Sequence, residues 1–131
     1  MEDCKILYDY NGNIKEERYF KNGLLHRENR PAMIWYYPNG VIKTEKYFID
    51  GFYHRENEPA IIYYYESGTI EKEVYYKNGE LHRLDGSAMI RYDNNGKMWQ
   101  EEYYINGIEY EDIFKYSVKA GSLKGEQING L

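Results

Sequence analysis

Asn39-Gly40-Val41-Ile42-Lys43-Thr44-Glu45-Lys46-Tyr47-Phe48-Ile49-Asp50-Gly51 carries the organisation of the whole chain. An Asx-Gly pair stands at each end, and such pairs tolerate the positive φ that tight hairpin turns need. Between them runs a mixed aliphatic, charged and aromatic segment that suits a strand. Working outward, the leading pair recurs at 28-residue intervals as Asn11-Gly12, Ser67-Gly68 and Asn95-Gly96. The closing pair recurs in the same register as Asn22-Gly23, Asn78-Gly79 and Asn106-Gly107. Eight of the twelve glycines therefore belong to one pattern.

Other columns keep the same period. They are Glu17, Glu45, Glu73 and Glu101; Tyr19, Tyr47, Tyr75 and Tyr103; Ile6, Ile34, Ile62 and Ile90; and Tyr8, Tyr36, Tyr64 and Tyr92. His-Arg recurs as His26-Arg27, His54-Arg55 and His82-Arg83, and Pro31-Ala32 and Pro59-Ala60 are answered by Ser87-Ala88. The chain is a repeat protein, and one hairpin unit buries too little to stand alone, so stability comes from stacking. The pattern predicts an all-β fold: an elongated antiparallel meander or solenoid of hairpin repeats. Residues 1–119 form one domain of copies at about 4–31, 32–59, 60–87 and 88–119. The fourth copy diverges, with Tyr110-Glu111 in the His-Arg place. Its segment from Tyr110 to Val118 can set Tyr110, Ile113 and Phe114 on one helical face, which predicts a short C-terminal capping helix. A flexible tail is expected over residues 120–131. The chain enters mid-repeat, so an edge strand at its start leaves a homodimer open.

Composition removes several function classes. With 17 Lys and Arg against 22 Asp and Glu, the net charge of −5 opposes direct nucleic-acid binding and attachment to an anionic membrane surface. A single cysteine, Cys4, excludes an internal disulfide framework and any cysteine-built zinc site. No apolar run is long enough to span a membrane as a helix, and no leader pattern opens the chain. A cytoplasmic protein is expected. Seventeen tyrosines among 131 residues point to half-buried pleated surfaces, since the ring is apolar and its tip polar.

The stretch from Asn39 to Gly51 resembles the MORN-type repeat, and more closely the variant repeat of bacterial antitoxin-like proteins. Its pattern is Gly, three or four residues, Glu-x-Tyr, then Asn-Gly. The extension Leu81-His82-Arg83-Leu84-Asp85-Gly86-Ser87-Ala88 is similar to His-Arg-x-Asp-Gly-Pro-Ala repeats of giant-virus, phage and some bacterial proteins. The resemblance spans about residues 4–108. It implies an interaction module, with toxin neutralisation or interference with a defence system among its uses.

Candidate chemistry is thin. The Glu17, Glu45 and Glu73 columns with Arg27, Arg55 and Arg83 could suggest a nuclease or phosphate site. Yet an active site assembles different groups at one place, whereas these residues recur identically. They are expected to form structural ladders, glutamate beside arginine and histidine, together with Glu101 and the Tyr19, Tyr47, Tyr75 and Tyr103 column. The three histidines are the only conceivable metal set. Residues one copy apart lie at least a strand spacing from one another, too far to converge on one ion without bending. Cys4 occupies a small apolar column, and no nucleophile elbow or phosphate-binding glycine loop occurs. Neither enzyme activity nor a cofactor is expected.

Partner-specific information should then lie in columns that differ between copies. Trp35, answered by Tyr63 and Arg91, alternates out of phase with Ile34 and Tyr36. Trp35, Tyr37, Tyr63 and Tyr65 are therefore expected on the opposite sheet face. Phe52, Tyr53 and Trp99 complete the candidate set, because exposed Trp and Tyr are enriched in binding hot spots. Asp9, Glu66, Glu71, Asp93 and Glu102 are candidate acidic flanks, which would suit a basic partner such as a nuclease or effector. The preferred expectation is a non-enzymatic protein-interaction module that inhibits or neutralises its partner. The alternatives are binding of a small anion or nucleotide on the His-Arg ladder and, below that, a hydrolase.

Overall fold

A computed structural model of the chain describes residues 1–111. It is all-β among those residues. The strands are β1 (Glu2–Tyr8), β2 (Ile14–Lys21), β3 (Leu24–Leu25), β4 (Met33–Tyr36), β5 (Ile42–Lys46), β6 (Phe48–Ile49), β7 (Phe52–Tyr53), β8 (Ile61–Tyr64), β9 (Ile70–Val74), β10 (Tyr76–Lys77), β11 (Glu80–Leu81), β12 (Met89–Tyr92), β13 (Met98–Ile105) and β14 (Ile108–Tyr110). The main sheet runs β1-β2-β4-β5-β8-β9-β12-β13-β14, with β3 alongside β2. All of its pairings are antiparallel, so it is a meander in chain order. The short pairs β6-β7 and β10-β11 continue β5 and β9 past a break at Tyr47 and Tyr75.

The two turn columns differ in construction. At the closing turns both central residues have positive φ, as in Asn22 (52°) with Gly23 (81°) and Asp50 (48°) with Gly51 (83°), the requirement of a two-residue type I′ hairpin. At the leading turns only the glycine is left-handed: Gly12 (φ 87°) donates its N–H to Asp9 O at 3.0 Å. Asp9 Oδ1 caps that turn by accepting from the Asn11 and Asn13 amides at 2.8 and 3.0 Å. Each leading turn adds a bulge, with register slips at Leu7/Tyr8, Trp35/Tyr36, Tyr63/Tyr64 and Arg91/Tyr92.

Register assigns the two faces. One carries the row Ile6, Glu17, Ile34, Glu45, Ile62, Glu73, Ile90 and Glu101, each opposite the next across the sheet. The other carries Leu7, Glu16, Trp35, Thr44, Tyr63, Lys72, Arg91 and Gln100 in the same order. Ala32, Ile34, Ala60, Ile62 and Ala88 are buried on the first face, and Ile61, Val74 and Phe48 on the second. The core is therefore shared between two thin layers, each lidded by its own long side chains.

Tyr110, expected to begin a helix, ends strand β14. The remainder of the expected capping helix and the tail over 120–131 lie outside the described residues. No helix among the described residues is long and apolar enough to cross a membrane.

Candidate interaction face

The repeat-invariant columns build a lattice on the first face. Tyr36, Tyr64 and Tyr92 donate their hydroxyls to Glu17, Glu45 and Glu73 of the preceding copy at 2.5, 2.6 and 2.6 Å. Burial, and then the carboxylate that accepts the hydrogen bond, pushes all three phenols well above the ordinary tyrosine range. Tyr19 also donates to Glu17 (2.5 Å), and that bond, then burial, pushes it up to about 12. Burial raises Glu17, but the two hydroxyls and the Arg27 charge outweigh it and hold the carboxyl below its usual value. In the fourth copy Glu101 instead accepts from Ser87 Oγ at 2.8 Å and Tyr103 at 3.2 Å.

The glutamates were expected beside arginine and histidine, and here the structure differs. The guanidiniums of Arg27, Arg55 and Arg83 stack over Tyr19, Tyr47 and Tyr75 at 3.6, 3.8 and 4.0 Å. Each donates Nη1 to a backbone carbonyl four residues on, at Pro31, Pro59 and Ser87. His26, His54 and His82 accept at Nδ1 from the turn amides of Asp50, Asn78 and Asn106 in the following copy, each at 3.0 Å. The physical reason is reach. The loop after each His-Arg turns the guanidinium onto a ring, while Tyr36 and Tyr64, two residues after Ile34 and Ile62, already lie diagonally across the sheet from the glutamate.

Between successive arginine loops lie two shallow clefts of about 430 and 260 Å³. Arg27, Tyr47 and Arg55 line the first, and Arg55, Tyr75 and Arg83 the second. The arginines, tyrosines and histidines along them are the lattice groups themselves. Among the described residues no three His, Cys, Asp or Glu side chains are placed to hold a metal ion.

The variable candidates fall in three places. Trp35 and Tyr63 flank buried Thr44 directly, so they share the second face as expected. Tyr53 joins them: its ring stacks between Phe48 (4.4 Å) and Tyr76 (4.9 Å), and Lys46 Nζ lies 5.1 Å over Trp35 and 5.9 Å over Tyr53. Tyr37 and Tyr65 are engaged by the scaffold, donating to Tyr64 O and Tyr92 O of the next copy at 2.6 Å. Phe52 is 61% exposed at the closing-turn edge, its ring against the Gly79 turn, where an added Cβ would meet Cδ1 at 3.0 Å. Trp99, also 61% exposed, stands on β13 in the column of Lys15, Lys43 and Glu71.

Charge on the second face departs from the acidic expectation. Glu66 lies in the leading turn and Glu71 at the start of β9, and after burial their charges raise Tyr37. The face itself carries Arg18, Lys46, Lys72 and Arg91 against Glu16 and Glu102. Glu102, a candidate flank, is engaged by Gln100 (3.0 Å) and Tyr104 (3.3 Å). Arg91 stands in the changing column of Trp35 and Tyr63, whereas Lys46 and Lys72 share no column with it or with each other. The pairing of Lys72 with Arg91 emerges only from strand register.

Fold and lattice together define a class: an antiparallel hairpin-repeat protein whose copies are sewn side to side by a fixed set of side-chain bonds. The model for the MORN repeat variant matches residues 5–22, 32–50, 61–78 and 88–106, more than half of the chain, and the protein belongs to that family. Comparison with curated proteins gave no match. Comparison with solved structures gave none either.

Proposed function

We propose that the protein is a non-enzymatic interaction module that binds another protein through its second face and neutralises it, in the manner of an antitoxin or an anti-defence factor. The observation that supports this is the division of labour between columns. Glutamate, tyrosine, arginine and histidine that repeat make the same bond in successive copies, while the column that changes, Trp35 to Tyr63 to Arg91, faces away from that lattice. Half-buried aromatic and arginine side chains on a sheet face are the residue types that anchor protein interfaces. The three histidines accept turn amides of the following copy at Nδ1, and that structural task supports the non-enzymatic reading.

The test is capture from source-cell extract with the wild type beside a Trp35→Ala/Tyr63→Ala variant of verified fold. The expected result is one stoichiometric protein retained by the wild type and lost by the variant, whose own activity the wild type suppresses. Retention by both, or by neither, overturns the assignment of this face.

A further inference from the structure

Lys72 and Arg91 stand directly opposite each other on neighbouring strands, both half-buried. Like charges in that position repel and weaken a sheet. Neither they nor Lys46 takes part in an ion pair among the described residues, whereas Arg18 at the start of the same face is neutralised by Glu16. Glu102, on the same face opposite Met89, accepts hydrogen bonds from Gln100 and Tyr104 and pairs with none of these cations. Burial lowers the proton affinity of Lys72, and Arg91 lowers it further, outweighing the opposing pull of Glu102 and Glu71.

Around these cations the surface is apolar and aromatic. Lys72 Nζ lies 5.6 Å over the Tyr63 ring, Lys46 Nζ lies over Trp35, and Met33, Ile61, Val74 and Met89 fill the adjoining row. A face of apolar floor and unneutralised cations is complementary to a ligand that brings both carboxylates and apolar groups. The net charge of −5 opposes a long polyanion such as nucleic acid and leaves a short acidic segment as the matching chemistry.

We propose that the second face recognises an acidic, apolar-containing segment of a partner protein, lying across the strands with its carboxylates on Lys46, Lys72 and Arg91 and its apolar side chains on Trp35 and Tyr63. This rests on the interaction-module reading and gives its partner a chemistry. Binding then supplies the counter-charge that the fold withholds, so the same residues that strain the free sheet anchor the complex.

The test uses the full chain and a labelled synthetic peptide alternating glutamate with leucine, read by fluorescence anisotropy and by thermal shift. Controls are the same peptide with lysine for glutamate, inorganic phosphate, and a single-stranded oligonucleotide. The expected result is saturable, salt-sensitive binding of the acidic peptide alone, weakened about tenfold by Lys72→Gln or Arg91→Gln. Both variants should melt no lower than the wild type without peptide, because each removes one of two repelling charges; a purely structural role would lower the midpoint. Unchanged binding in the variants, equal binding of the basic peptide, or preference for phosphate or the oligonucleotide overturns the proposal. A captured partner protein whose retention is indifferent to Lys72→Gln would remove the acidic-segment reading and leave the interaction module standing.

Discussion

The two faces of one sheet share every strand and yet obey different rules. On the face of Ile34 and Glu45, each copy repeats its neighbour's bonds, and polar groups find partners within the molecule. On the face of Trp35 and Lys72, residue identity drifts from copy to copy, and Lys46, Lys72 and Arg91 are left without ion-pair partners among the described residues. Period-two alternation makes this separation available, because a strand can hold a column constant on one side and change its neighbour on the other. The contrast teaches that translational symmetry belongs to stability, and departures from it are where recognition is sought.

Alkali offers the sharpest way to break the comparison, and the largest effect. The lattice phenols of Tyr36, Tyr64 and Tyr92 are raised by burial and by their glutamates, whereas Tyr10 is 98% exposed. A tyrosine whose native value is raised gives stability that is intact below the unfolded value of about 10 and is lost as pH rises through the native one. Tyrosinate absorbance should therefore rise in two phases, the second coinciding with loss of the β-sheet circular dichroism. A single phase with the sheet intact would mean that the hydroxyl–glutamate bonds do not hold the fold.

Glu45→Ala comes next. It strands the half-buried Tyr64 hydroxyl and should cost about 1–3 kcal/mol in urea unfolding, and Tyr64→Phe should cost at least as much, because it leaves the half-buried Glu45 carboxylate between Ile34 and Ile62 without its donor. A loss below about 0.5 kcal/mol in both variants would argue that the ring, not the bond, is what matters at this site. His54→Ala is the smallest of the three. It removes the acceptor for the Asn78 turn amide, an exposed donor that water can satisfy, so the expected loss is about 0.5–1 kcal/mol. A loss as large as that of Glu45→Ala would make the histidine latch a principal joint between copies.

Much of the fold was legible in the sequence because a 28-residue period multiplies each weak signal by the number of copies. Asn22-Gly23 alone is a turn suggestion; four such pairs in register fix the hairpins. The glutamate partners were not legible. Glu45 shares its face with Ile34, Tyr47 and Tyr64, and only the bulge at Trp35/Tyr36 and its equivalents aims the tyrosine across the sheet. The placing of Trp35 and Tyr63 on one face followed from alternation, but Tyr37 lies beyond its bulge, where alternation no longer specifies what the hydroxyl meets. The gathering of Lys46, Lys72 and Arg91 on one face was not legible because they share no column.

Sheet order that follows chain order has a consequence for how the molecule assembles. The bonds between copies join residues 19, 24 and 27 positions apart, and none of the three closes a loop longer than one repeat. All-β proteins ordinarily fold slowly because distant segments must meet before any contact rewards them. Here each new hairpin needs only the one before it, so the growing sheet can extend one copy at a time as the chain leaves the ribosome. The same locality lets a whole repeat be duplicated or deleted without severing a distant pairing, so the length of the recognition surface can change by recombination while the joints stay the same.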